Sequence, residues 1–388
     1  MSSPAANDLL ASARELSELA RTHADDGEKR GQLHPGLVAA LKSAGLFGML
    51  VPRELGGLEV DVATFVAAIE AVARGDGAAG WCVMIAATTG VTAAQLPREG
   101  AEEIFADPFA PTAGVLMPKG RATRAEGGWQ VNGTWAFGSG TGHAKWILGG
   151  ATVYGPDGPE LIEGKAPHAR MMFFPRDEVS ISDTWHVSGL RGTGSNDFEV
   201  ADAFVPDRRS ATIGGGTFWT HGPTYAFPIY GLLALGVAAT GLGIARGAIE
   251  TLRDLATAKT PTGSRRLLSE RAAAQSGIAE AEGMVRSASA FMREAVAEAW
   301  QRAAAGSKMG LHERASLRLA ATTAALSSAR AVDLCYNLGG ASSIYESNLL
   351  QRQFRDVHTM TQHVMVGQPT LEVAGRIMLG IPTDTSMF

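Results

Sequence analysis

Two histidines near the end of this 388-residue chain, His358 and His363, stand five positions apart. A histidine near its ordinary pKa holds and delivers a proton at neutral pH, so either could serve as a general acid or base. At about 100° per residue on a helix their side chains point about 140° apart, so the pair does not share one ligand. The two cysteines, Cys82 and Cys335, stand singly in apolar stretches and build no metal cluster. Hydroxyls and glycines gather in two other places. Ser139-Gly140 closes an apolar run that contains Trp135 and Phe137, which puts a hydroxyl and a backbone N–H at the end of a strand. The run Gly189-Leu190-Arg191-Gly192-Thr193-Gly194-Ser195 offers backbone N–H groups beside a guanidinium, suited to a carbonyl or an anion, or equally to a plain surface loop. Earlier, Gly80-Trp81 is followed by Met84, Ile85 and Thr88, an apolar surface with one hydroxyl that fits a planar ring or a structural helix equally well.

The elements that position these groups follow from composition and periodicity. With 45% hydrophobic and 19% charged residues the chain can bury a large interior divided into two or three sub-domains. A net charge of −5 and a pI near 6.0 give no electrostatic reason to expect nucleic acid or an anionic membrane. Asp8, Glu15, Glu18 and Arg21 break up the first turns, so a signal peptide is not expected and the cytoplasm is the expected location. The run from Ile229 to Ala245 carries no charge, but its Gly231, Gly236, Gly241 and Gly243 favour a tightly packed interior helix over a membrane span. Residues 1–110 read as helices: Leu9, Leu16 and Leu19 recur at helical spacing, and Pro35 suits a first turn before Leu37 and Leu41. Residues 111–212 read as β-structure, with a hairpin expected at Asn132-Gly133 and strands near 171–174, 179–181 and 198–205. A loop at Gly214–Gly216 leads to helices over the remainder of 213–388, with the look of a four-helix bundle. Gly241, Gly243 and Gly247 have the wrong spacing and no preceding strand for a dinucleotide fingerprint, so no nicotinamide site is visible.

Several pieces in order resemble the acyl-CoA dehydrogenase superfamily: Ala44-Gly-Leu-Phe-Gly-Met-Leu-Val-Pro52 with Gly56-Gly57, Val131 to Gly140, Gly189 to Ser195, Phe204-Val-Pro206, and Gly339-Gly340 with Arg355-Asp356. The resemblance implies a helical N-terminal part, a middle β-barrel and a C-terminal four-helix bundle. It also exposes a gap. The family's catalytic glutamate, eight residues after the Arg-Asp pair, is replaced here by Val364 with His363 beside it. The family's other site for that glutamate maps near Gly231 and Leu232, and no carboxylate lies between Asp207 and Glu250. The chain is most similar to the oxygenase components of two-component flavin monooxygenases. That resemblance implies a reduced flavin, FMNH2 or FADH2, delivered by a separate NAD(P)H-dependent reductase, with O2 as co-substrate and an aromatic or heteroaromatic molecule hydroxylated through a flavin C4a-hydroperoxide. His363 would manage the peroxide proton and Ser139, with Gly140, the flavin N5 and O4 edge. Trp135 and Phe137 would wall the ring, and Arg191, Thr193, Gly194 and Ser195 would bind its carbonyls or phosphate. Trp81, Met84, Ile85 and Thr88 would face the substrate. Arg265, Asn337, Gly339 and Gly340 would reach a neighbouring subunit's flavin in a homotetramer. An acyl-CoA dehydrogenase or oxidase with an unidentified base, and a catalytically silent flavin-binding member, stay open as rival readings.

Overall fold

The computed structural model describes residues 4–162, 166–213 and 218–388; the loop expected at Gly214–Gly216 lies outside them. Five helices come first: α1 (Pro4–Arg30), α2 (Pro35–Ser43), α3 (Val62–Gly75), α4 (Gly77–Gly90) and α5 (Arg98–Ile104). Side-chain caps start α2, α3 and α4. His34 Nδ1 accepts from Gly36 N ahead of Pro35, Asp61 accepts from Thr64 N at 2.8 Å, and Asp76 accepts from Ala79 N at 3.0 Å.

Among the described residues the strands that follow are β1 (Thr112–Ala125), β2 (Gly128–Gly138), β3 (Trp146–Gly155), β4 (Gly158–Pro159), β5 (Leu161–Ile162), β6 (Ala166–Pro167), β7 (Ala169–Pro175), β8 (Ser180–Ser182), β9 (Asn196–Pro206) and β10 (Ser210–Thr212). The main sheet runs β10-β7-β3-β1-β2-β9-β8, with β4 beside β3 and only the β1–β3 pair parallel. Among the described residues this sheet is open, so the expected barrel is here a central sheet whose end strands do not pair.

The hairpin expected at Asn132-Gly133 lies elsewhere: β1 turns into β2 at Glu126-Gly127, where Gly127 takes φ +71°, and Ala125 pairs with Gly128. Asn132-Gly133 sits inside β2, at a shift in its register with β9. Two facts account for that. The Asn132 amide donates to Asp202 Oδ1 and accepts from Asp202 N, which uses the side chain across strands instead of in a turn. A Cβ on Gly133 would meet the Trp135 indole at 2.6 Å. Trp135 itself is fully buried, stacked on Phe198 at 5.1 Å and donating to Gly150 O at 2.8 Å. It is a core residue of the sheet, not the flavin wall expected of it, because its ring has no open side.

The last part comprises α6 (Pro223–Ala226), α7 (Ile229–Ala258), α8 (Ala272–Ala304), α9 (Leu311–Gly339), α10 (Leu349–Thr361) and α11 (Pro369–Met378). The uncharged run of α7 threads the middle of this assembly, packing on α3, α4, α9 and α10. Its glycines do what the composition predicts: a Cβ on Gly243 would press on Glu70 O and Ala73 Cβ, so two helices approach at backbone distance. By length and composition α7 and the stretch Gly77–Gln95 could each cross a membrane, but their apolar windows are 83% and 94% buried within the protein. N-terminal and C-terminal helices share one core that includes Phe65, Trp81, Leu235 and Met360, while the sheet keeps its own around Trp135.

Candidate active site

A chain of hydroxyls joins three parts of the sequence. Trp81 Nε1, on α4, donates to Ser139 Oγ at 3.0 Å; Ser139 Oγ lies 2.6 Å from Ser195 Oγ; Ser195 Oγ lies 2.7 Å from Thr193 Oγ1; and Thr193 Oγ1 donates to Leu190 O at 2.7 Å. All four side chains are buried. Strained backbone flanks them: Phe137 and Leu190 take φ +67° and +52°, left-handed conformations that cost a non-glycine residue about 1–3 kcal/mol and persist where the surroundings impose them. Gly140 and Gly194 share that region, at φ +77° and +52°. Phe137 is 70% exposed and meets Trp185 edge-on at 6.2 Å, so this pair, and not Trp135, offers an open aromatic surface beside Ser139.

His363 also contacts Trp81. Helix α10 ends at Thr361, so His363 lies in the turn that follows, and a helical angle between it and His358 does not apply. Its ring meets Trp81 edge-on at 5.4 Å. Nδ1 accepts from Met365 N at 3.2 Å, which leaves the proton of the neutral ring on Nε2. Burial, reinforced by the Arg318 guanidinium, pushes the imidazole down to about 4. The expectation of a histidine poised near neutrality is therefore corrected: at pH 7 His363 is a neutral N–H donor. Arg318, unnoticed in the sequence, is a buried cation on α9 that bonds carbonyls only, donating to Met365 O at 3.1 Å and to Met387 O under the Phe388 ring. It ties the His363 turn to α9. His358 is structural, 2.8 Å from Asp333 Oδ1 and packed on Phe354.

Beneath the hydroxyl chain lies a second feature that sequence spacing does not reveal. Asp356 Oδ1, on α10, accepts from Leu190 N at 2.6 Å and so hangs the 189–195 loop from the bundle. Burial raises Asp356 to about 7, with Asp76 adding repulsion, and burial raises Asp76 to about 6. Arg352 bonds Glu28 at 2.8 Å and also Asp25, and Arg355 reaches Glu28 at 2.6 Å. Burial alone would raise Glu28, but its bonds to Arg355 and Arg352 outweigh that and lower it. The loop fits against α10 only because residue 189 has no side chain: a Cβ there would overlap the Arg355 carbonyl. Gly189→Ala should accordingly lower stability by about 3 kcal/mol, read from urea midpoints, with the Leu190–Asp356 bond lost. An unchanged midpoint would mean the loop shifts freely.

The remaining expected residues divide. Ile85 is the one residue of α4 that is not buried, on the same face as Trp81. Met84 is fully buried against Gly236, and the Thr88 hydroxyl donates to Met84 O at 2.8 Å within its own helix, so neither is free for a substrate. Arg191 lies 3.6 Å from Glu28. Arg265 is exposed in the connection after α7, and Asn337, Gly339 and Gly340 end α9; Lys259 joins the two places, donating to Gly339 O at 2.7 Å while its own carbonyl accepts from Leu268 N. His143 was missed, although it follows Ser139 by four residues: its ring lies 6.2 Å from Phe47, and burial pushes it to about 4. A cavity of about 230 Å³ opens where the turn after α4, the sheet and the start of α7 meet, lined by Val91, Leu116, Met171, Phe227 and Tyr230 together with Tyr225, whose buried hydroxyl has no partner among the described residues.

Comparison with known proteins accords with this geometry. Residues 3–107 match the acyl-CoA dehydrogenase N-terminal domain family and residues 235–368 the acyl-CoA dehydrogenase C-terminal domain family. The chain is 31% identical to the indole-3-acetate monooxygenase of Pseudomonas putida, over 98% of this chain and 94% of that protein. It is 27% identical to the oxygenase component of the FADH2-dependent resorcinol hydroxylase of a Rhizobium species, over 94% and 92%. The crystal structure of the HsaA monooxygenase from M. tuberculosis superposes with a TM-score of 0.88 at 27% identity, covering 99% of this chain and 100% of that one. With Val364 at the place of the dehydrogenase glutamate, and with this likeness along its whole length, the chain belongs to the acyl-CoA dehydrogenase superfamily, among its flavin-dependent monooxygenase oxygenase components.

Proposed function

We propose that Ser139 and His363, each in contact with Trp81, form the reactive centre of this reduced-flavin-dependent aromatic hydroxylase. The carrying observation is the pair of complementary groups, an acceptor oxygen on Ser139 and an N–H on His363, at a site where the family's carboxylate is replaced by Val364, which is 57% exposed. The donor set fits a flavin edge: a buried hydroxyl with one lone pair open, glycine turns at Gly140 and Gly194, and the open Phe137–Trp185 surface. When bound, reduced flavin supplies the activation of O2. The chain's own residues do the rest. Ser139 orients the N5 edge, His363 Nε2–H holds a proton where the oxygen leaves, and Trp81 with Ile85 excludes water on the α4 side.

The substrate ring belongs in the cavity at the start of α7. A dry cavity of about 150 Å³ accepts benzene. One of about 230 Å³ therefore takes one or two fused rings, such as an indole. The electrons come from a separate NAD(P)H-dependent flavin reductase, and the cytoplasm is the location consistent with two buried, unpaired cysteines. Arg265, Asn337, Gly339 and Gly340 complete a neighbour's site in a homotetramer.

Reaction of the protein with reduced FAD, 18O2 and indole-3-acetate should place one 18O atom in a hydroxylated product, detected by mass spectrometry. Product without the label, or turnover only with acyl-CoA, would overturn the reading. Light scattering should give four chains per particle; a monomer that binds flavin normally would remove Arg265, Asn337, Gly339 and Gly340 from the site.

A further inference from the structure

The hydroxyl chain has a fixed direction. A carbonyl only accepts, so the 2.7 Å contact between Thr193 Oγ1 and Leu190 O consumes the single Thr193 proton. Ser195 must then donate to Thr193, since two lone pairs at 2.7 Å would repel. Ser139, for the same reason, must donate to Ser195 across 2.6 Å. Trp81 Nε1 can only donate, and it takes one of the two lone pairs on Ser139. Every proton is committed. What remains on Ser139 is one lone pair, so any group that meets this oxygen has to bring its own hydrogen.

Resting on the assignment of the flavin N5 edge to Ser139, we propose that Thr193 and Ser195 are positioning residues that make the site selective for the reduced cofactor, by holding Ser139 as an acceptor. Reduced flavin carries N5–H, a donor. Oxidised flavin presents a bare N5 lone pair. The reduced form completes the row Trp81 to Ser139 to Ser195 to Thr193 to Leu190 O with a second donor into Ser139; the oxidised form sets two acceptors against each other, or forces the whole row to reverse. Reversal is opposed at the far end, where Leu190 O cannot return a proton. An unmet acceptor of this kind weakens binding by about tenfold or more.

The test is an anaerobic titration of the full-length protein with FAD, oxidised and dithionite-reduced, followed by flavin fluorescence and by calorimetry. Wild type should bind reduced FAD at least about tenfold more tightly. By linkage the bound two-electron potential then lies at least about 30 mV above that of free FAD. Ser195→Ala releases the Ser139 proton, which can then point at a bare N5, so the two affinities should converge to within about threefold. Thr193→Val frees the row at its other end and should act the same way, whereas Thr193→Ser, which keeps the proton, should retain the wild-type ratio. A merely structural role for these hydroxyls would weaken both oxidation states together and leave the ratio unchanged; that result, or equal binding by wild type, overturns the proposal. Failure of wild type to bind either form would instead strike at the flavin assignment itself.

Discussion

His363→Ala should leave the fold and flavin affinity near wild type while diverting O2 to hydrogen peroxide instead of hydroxylated product. The ring contributes an Nε2–H held in place by Met365 N and an edge contact with Trp81, and it anchors no other element. Loss of a positioned proton donor slows a transfer step by about 10²- to 10⁴-fold, which gives peroxide release time to win. His358→Ala is the control: it breaks the bond to Asp333 and the packing on Phe354, so it should lower the melting temperature and leave the peroxide-to-product ratio unchanged. Peroxide yield and melting temperature of the two variants decide the matter. Wild-type coupling in His363→Ala would remove this residue from the chemistry. Because the ring is already neutral above about pH 4, the coupling of wild type should not change between about pH 6 and pH 8 on its account.

Arg352→Met should be the most damaging single change in the charged layer, at about 3–5 kcal/mol near pH 8. Arg352 is buried and bonds Glu28 and Asp25, with Asp76 and Asp356 close by, so its removal leaves carboxylates facing one another inside the protein. The loss should shrink as pH falls. Asp76 and Asp356, raised to about 6 and about 7, hold protons more tightly in the folded chain than at their ordinary 3.8. The stability each contributes is complete below that ordinary value and is lost as pH rises through 6 and 7. Wild type should thus gain stability between about pH 8 and pH 5.5, and the variant should gain more, since no cation opposes protonation there. Glu28, held low in wild type, works in the opposite sense only at more acidic pH. A deficit that stays constant over this window would refute the account.

What the sequence reveals and what it hides divide along a physical line. Ser139 and Trp81 stand out in the sequence because each lies in a short local pattern, a strand end or a helix, and His363 because it neighbours the missing glutamate. Their convergence was not, since Trp81 and Ser139 are 58 residues apart and only the packing of α4 on the sheet brings them together. The Asn132-Gly133 pair forms no turn because its side chain is taken by the cross-strand partner Asp202, which is 70 residues away in sequence. Trp135 is hard to place for a related reason, as aromatic residues on both faces of a strand look alike until one face is covered by Phe174 and Phe198. Arg318 and Asp76 leave no signal at all, and Asp356 shows only as half of the Arg355-Asp356 pair, with nothing to say that it holds Leu190 N. Ion pairs and buried charges assembled from distant helices have no spacing, and only their burial makes them matter.

Trp81 also gives the protein a reporter of its own. Its indole N–H is bonded to Ser139 and its ring meets His363 at 5.4 Å, whereas Trp129, Trp135 and Trp146 belong to the sheet and Trp185 stands against Phe137. Emission from that one indole should therefore follow the seating of a ring beside Ser139 without any added label, and subtracting the spectrum of a Trp81→Phe protein isolates it. Occupancy of the reactive centre can in this way be watched separately from turnover.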